Sequence, residues 1–176
     1  MTEEKTSNEN KTPESEQPQQ LLAIQKIFCK DISFETPNSP QIFTQNVQPE
    51  MKTELNTSVN VLAADTGIFE VILTVTVTAE YEDKTAFLAE VNQAAIFNIS
   101  GFDKTTLDGL LATYCPNLLF PYAREVIGEL VNKGGFPQLI LQPVNFDAMY
   151  AQHMQARKEQ ADATATENNA ENEAIH

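Results

Sequence analysis

An α+β fold, a four-stranded antiparallel sheet followed by C-terminal helices, is predicted by three features of the sequence. Apolar and polar residues alternate through the first half, the period of half-buried strands. After Gly101 the apolar spacing widens to that of a helical stripe. Both ends are polar and acidic, which leaves one central domain, and 176 residues are enough to give it a core.

Strand one is predicted over residues 21–35 (LLAIQKIFCKDISFE), ending near Phe34, because it is rich in β-formers and meets no breaker before TPNSP. Residues 37–49 form a long proline-bounded connection that carries Ile42, Phe43 and Val47. Apolar residues in such a loop either tuck onto the core or bind something, and both readings stay open. In residues 51–61 the odd positions Met51, Leu55, Val59 and Val61 alternate with Lys52, Glu54, Asn56 and Asn60. In residues 69–79 Phe69, Val71, Leu73, Val75, Val77 and Ala79 share one face, with Glu70, Thr74, Thr76 and Thr78 opposite. EYEDKT is a polar link short enough for a hairpin, and residues 85–99 continue as the fourth strand. There Phe87, Val91, Phe97 and Ile99 lie on one face, with Leu88, Glu90 and Asn92 on the other. Four such strands with short later links predict an antiparallel sheet with one solvated face.

Residues 105–113 predict a short helix. A second helix follows in YCPNLLFPYAREVIGELVNKGGFP, where Ala123, Val126, Ile127, Leu130 and Val131 form one stripe and Gly134-Gly135 supplies the stop. FPQLILQP reads as an extended connector. A last helix begins near Asn145, a plausible N-cap, with Phe146, Met149, Tyr150, His153 and Met154 on one face.

Residues 1–20 hold five acids and two lysines, with no aromatic or branched apolar side chain. Residues 155–176 also hold five acids, and Ile175 is their only large apolar residue. Both compositions predict disordered tails, because neither can bury enough apolar surface to offset the entropy of ordering. The organisation expected is a tail over 1–20, a folded domain over 21–154 and a second tail over 155–176.

The net charge of −14 argues against nucleic acid and against anionic lipid, and favours a basic partner. No apolar run approaches the length of a membrane span, and the acidic N-terminus does not read as a signal peptide, so no direct membrane insertion is expected. Two isolated cysteines make no disulfide framework, and a cytoplasmic location is expected.

Catalysis finds little support. Cys115 would need an activating base, and the two histidines are His153, on the stripe of the last helix, and His176, at the chain end. Two Cys and two His without paired spacing predict no metal site, and no nucleotide-binding or nucleophile-elbow motif is present, so no cofactor is expected. Asp31 and Glu35 share strand parity with Ser33 and read as decoration of one face rather than as an acid/base pair. A small acidic hydrolase would need a constellation that these residues do not form.

Binding is better supported. Leu88 and Glu90 oppose the parity of Phe87, Ala89 and Val91, and Glu70 opposes the apolar face of its own strand. Such an acid-bearing face around a leucine is either ordinary solvated surface or a receptor for a basic, partly apolar peptide. Leu118, Leu119, Phe120 and Tyr122, added to the helical stripe, exceed what one sheet face can cover, and this predicts an oligomer.

KDISFETPNSP, TVTVTAE, AFLAEVNQAAIF, YCPNLLFPYAREVI and GGFPQLILQPVNFDAMY, in this order, resemble the SecB family of protein-export chaperones from about Ile24 to Tyr150. The resemblance implies a homotetramer built as a dimer of dimers, with helices between two sheets. It implies a non-enzymatic chaperone that binds unfolded secretory precursor proteins, keeps them translocation-competent and delivers them to the motor SecA. By the same resemblance, Asp31, Glu35, Leu88 and Glu90 would receive the basic C-terminal segment of SecA. Clients would lie in apolar grooves, to which Phe43, Val47, Phe120, Tyr122, Phe146 and Met149 are assigned. Two positions depart from the family pattern: Val47 replaces a usual tryptophan, and Ala94-Ala95 replace paired glycines. The first leaves room for another reading, a SecB-like adaptor or toxin-system partner with an altered client range.

Overall fold

The computed structural model describes residues 19–45 and 48–173, with side chains described as far as residue 160. Four strands, β1 (Leu21–Glu35), β2 (Glu50–Ala63), β3 (Ile68–Tyr81) and β4 (Lys84–Ser100), form one antiparallel sheet in the order β1-β4-β3-β2. The sheet predicted from period-two alternation is therefore present, with β1 and β2 as its edges.

The two faces differ as the alternation requires. Val71, Leu73, Val75 and Val77 of β3 and Phe87, Ala89, Val91, Ala95 and Phe97 of β4 point inward and are almost fully buried. β1 lacks this clean alternation for a mechanical reason. Its inward residues are Leu22, Ile24, Ile27, Cys29, Ile32 and Phe34, paired with inward residues of β4. The steps of three coincide with bulges between Ile24 and Lys26 and between Cys29 and Asp31. Each bulge inserts one residue and resets the parity of everything beyond it.

Helix α1 (Lys104–Gly109) is capped by Asp103, whose carboxylate accepts a hydrogen bond from the Thr106 backbone N–H at 3.1 Å. It does not stop there. A π-helical turn over Leu110–Tyr114 joins it to α2 (Cys115–Lys133), so the two predicted helices are one continuous rod. Pro116 explains the wide turn, because proline has no N–H to donate and its ring would crowd the carbonyl four residues back. Leu119, Ala123, Ile127 and Val131 form the buried stripe of α2 and close the inner face over β3 and β4. The helix ends at Lys133, and just beyond it Gly135 adopts φ +84° while the Phe136 N–H donates back to the Val131 carbonyl. Only glycine takes that conformation cheaply, and the turn aims the following chain back across the sheet.

Residues 136–145 form an extended connector, and α3 (Phe146–Glu173) begins where Asn145 caps it, its side chain accepting from the Ala148 N–H at 2.9 Å. α3 continues past residue 154, where composition placed the domain boundary. From residue 155 to residue 160 its side chains are exposed. Residues 1–18 of the expected N-terminal tail over 1–20, and Val47, lie outside the described residues.

Candidate functional site

The connection after β1 resolves the ambiguity of its apolar residues by splitting them. A short 3-10 turn, Gln41–Thr44, buries Ile42 in the core and leaves Phe43 49% exposed. Phe43 stands against Phe136 of the connector with ring centroids 5.0 Å apart, and Phe136 stands against Phe87 of β4 at 4.8 Å. These three rings, with Met51, Val131 and Leu139, bound an apolar groove of about 520 Å³. The Gly135 turn makes the groove possible by folding the connector back toward the 3-10 turn.

A second groove of about 720 Å³ lies at the other end of the helical layer. Leu55, Val59 and Val61 of β2 form one wall, and Leu107, Phe146 and Met149 form the other. It exists because β2 is a sheet edge that α2 does not reach across. Val61 is 60% exposed as a result.

Five of the six residues assigned to the client grooves lie among the described residues, and they do not all line the same groove. Phe43 is in the first groove, and Phe146 and Met149 are in the second. Phe120 is buried against Phe146, an edge-on pair at 6.1 Å, and acts as packing beneath the second groove. Tyr122 is exposed on α2 and lines neither groove. Spacing along a helix identifies which residues share its stripe, but not which neighbouring element faces them. Phe136, Leu139 and Met51 are groove residues that sequence reasoning missed. The signal was available in FPQLIL, an apolar connector held between a glycine turn and prolines.

The outer sheet face carries the second set. Asp31 is paired with Asn92, Ser33 with Glu90 and Glu35 with Leu88, so the four residues singled out form a strip on two adjacent strands. At about 3.3 Å per residue the strip is roughly 13 Å long. Around it the face is knitted by polar pairs. Thr74 donates to Asn92 at 2.6 Å and Thr76 to Glu90 at 2.8 Å. Lys30, at the β1 bulge, reaches Glu70 at 2.8 Å, and Asn60 donates to the same carboxylate. Glu70 is only 8% exposed, and the hydrogen bonds from Lys30 and then Asn60 hold its carboxyl below the ordinary value of 4.5. Lys52 similarly pairs with Glu80. Asp31, Glu35 and Glu90 have no ion-pair partner among the described residues. Uncompensated acids beside a half-buried leucine suit a basic segment that also brings an apolar side chain.

Cys115 is fully buried, and burial pushes its thiol up to about 12, so it supplies no thiolate at neutral pH. No metal-binding cluster of His, Cys, Asp or Glu occurs among the described residues. Among the described residues no helix is long and apolar enough to cross a membrane.

One sheet with apolar grooves on its helical side and an acidic strip on its bare side defines a binding protein with two dissimilar surfaces. The chain belongs to the SecB family: residues 15–157 match the family described as preprotein translocase subunit SecB. It is 53% identical over 148 residues to the protein-export protein SecB of Methylococcus capsulatus, covering 84% of this chain and 94% of that one. Against the SecB of Nitrosococcus oceani it is 52% identical over 161 residues, covering 90% and 94%. Among solved structures, the fold resembles a SecB-like chaperone of Mycobacterium tuberculosis determined with a ChAD peptide from an antitoxin. The TM-score is 0.57 at 21% identity, over 70% of this chain and 88% of that one. This likeness is one of fold.

Proposed function

We propose that this chain is a cytoplasmic export chaperone that holds unfolded secretory precursors in its apolar grooves and delivers them to SecA through the acidic strip. The observation that carries this reading is the pairing of surfaces. An aromatic-walled groove of about 520 Å³ lies on one side of a sheet whose other side presents unpaired acids. An unfolded precursor offers apolar side chains on an extended backbone, and a half-open groove takes many such segments through weak, additive contacts. Broad selectivity follows, because weak additive apolar contacts favour no single side chain. Holding a precursor requires no bond to be made or broken, so this reading assigns the chain no enzymatic role.

The assembly proposed is a homotetramer, a dimer of dimers. Support comes from apolar side chains that one subunit leaves uncovered, Ile24 and Ile32 on the β1 edge and Tyr122 on α2. Tyr122 then belongs to a face between subunits or to a groove completed by a neighbour.

The test is aggregation and refolding of a slow-folding secretory precursor. The protein is expected to delay both, and Phe43→Ser is expected to weaken precursor binding about tenfold, the loss of one aromatic anchor. A precursor that refolds at its own rate with the protein in excess would overturn the reading. Glu90→Lys is expected to weaken SecA binding, as added salt should, because the contact is partly electrostatic. Unchanged affinity under both conditions would remove the strip from the mechanism.

A further inference from the structure

A cation stands beside the acidic strip without compensating it. Of the two lysines in β1, Lys26 stands five residues before Asp31, whereas Lys30 is its immediate neighbour. Lys30 occupies the bulge between Cys29 and Asp31. A lysine so placed could neutralise Asp31, but it is turned away. Its amine reaches past β4 to β3, where it donates to both carboxylate oxygens of Glu70, at 2.8 and 2.9 Å. Asn60 of β2 donates to the same carboxylate at 2.8 Å. Three side chains from β1, β3 and β2 thus meet on the outer face.

Glu70 is itself remote from the strip. Asp31 pairs with Asn92 and Asn92 with Thr74, and Glu70 lies four residues from Thr74 along β3. With two strand spacings between them, the backbones of Glu70 and Asp31 are about 16 Å apart. Glu90 is farther still, because its partner Thr76 lies six residues from Glu70. The Debye length is about 8 Å at physiological salt, so the charge of Glu70 acts only weakly on a ligand at the strip. On Lys30 it acts strongly. The Glu70 carboxylate is nearly buried, and a carboxylate withdrawn from water needs a cation and hydrogen bonds to replace it. The Lys30 side chain is 45% exposed, so nothing except this carboxylate and its bonds fixes where the amine points.

We infer that Glu70 is a positioning residue for the acidic strip, holding the Lys30 amine away from Asp31 so that the strip meets its basic partner uncompensated. This rests on the function proposed above, and it names a residue outside the contact that sets the charge the contact presents. With the bridge formed, Lys30 and Glu70 cancel each other, and Asp31, Glu35 and Glu90 have no ion-pair partner among the described residues. Without the Glu70 carboxylate, the flexible lysine side chain turns back toward the nearest acid, which its own neighbour Asp31 supplies. The strip then offers a basic segment one fewer free acid, and the released amine repels that segment.

The experiment is a double-mutant cycle read as affinity for purified SecA, with the full-length protein. Glu70→Gln keeps the shape of the side chain and an acceptor for Asn60 but removes the charge. With Lys30 present it is expected to weaken SecA binding about fivefold, the upper range for one exposed charge contact. In a Lys30→Gln background the same change is expected to alter affinity less than about twofold, because no amine is left to release. The double variant lacks the bridge yet binds nearly as the original does, which a purely structural role of the bridge would not allow. The loss in Glu70→Gln should also shrink as salt is raised. Should Glu70→Gln fail to fold, Glu70→Thr takes its place in the cycle, since Thr74, Thr76 and Thr78 already occupy that face of β3. An equal loss in both backgrounds would mean that Glu70 meets the partner itself and overturns the inference, as does no loss in either. Failure of the unaltered chain to bind SecA, or a Glu90→Lys variant that binds as tightly, overturns the strip as a contact, and this inference with it.

Discussion

The two faces of the sheet are built from alternate residues of the same strands, yet they are held together by different physics. On the inner face Val71, Leu73, Val75 and Val77 meet the α2 stripe and exclude water. On the outer face Thr74, Thr76, Asn60 and Lys30 engage Asn92, Glu90 and Glu70 across the strands. Dry packing is intolerant of lost volume, whereas a solvated polar ladder exchanges one hydrogen bond for another at little net cost. The lesson is a division of labour. Stability is concentrated on the face that carries the grooves at its margins, which leaves the bare face free to carry charge that a partner can read.

The sharpest way to break this comparison is on the dry side. Ile127→Ala removes a fully buried side chain from the centre of the α2 stripe and is expected to cost about 2–5 kcal/mol, read from denaturant unfolding. A cost similar to that of an outer-face substitution would show that the helix is not the main clamp on the sheet.

Next comes Glu70, an outer-face carboxylate that is buried like an inner group. Lys30→Met deprives the nearly buried Glu70 carboxylate of its cation and is expected to cost about 1–3 kcal/mol at neutral pH. The pH dependence has a definite sign. Because the Glu70 carboxyl is held below 4.5 in the folded chain, its stabilising contribution is present above that pH and is lost as pH falls through and below it. The gap between the original chain and Lys30→Met should therefore close on acidification, as followed by stability measurements from pH 7 to pH 3. A gap that stays constant would mean that Lys30 acts through packing alone.

The smallest expected change in stability is at Glu90. Glu90→Lys loses one hydrogen bond from Thr76 on a half-buried surface and should shift stability by less than about 1 kcal/mol. Thermal unfolding checks this, and a small shift would assign the loss of SecA affinity expected for the same variant to contact rather than to unfolding.

Much of this organisation was legible in the sequence, for a reason that separates the strands from the grooves. Period-two alternation in residues 69–79 and 85–99 is a local consequence of backbone geometry. It therefore located the outward Leu88 and Glu90 with no knowledge of neighbours. β1 was harder, because its two bulges break the period, and the sequence alone does not show which residue of each step of three is the extra one. The rod formed by α1 and α2 gives two separate helical segments in the sequence, 105–113 and the stripe from Ala123. The π-helical turn before Pro116 joins them by absorbing the missing hydrogen bond without ending the helix.

What the sequence determined by itself was the class of fold, the inward and outward faces of its regular strands, the caps at Asn145 and Gly135, and the family motifs. All of these depend on residues close together in the chain. Only the tertiary structure decided that Phe43 and Phe136 share a wall, that Phe146 and Met149 belong to a different groove, and that Tyr122 lines neither. Groove membership depends on which distant elements come to face each other. That is set by the crossing of α2 over the sheet and by the direction of the chain after Gly135. Neither leaves a period in the sequence, because both are properties of the packed whole.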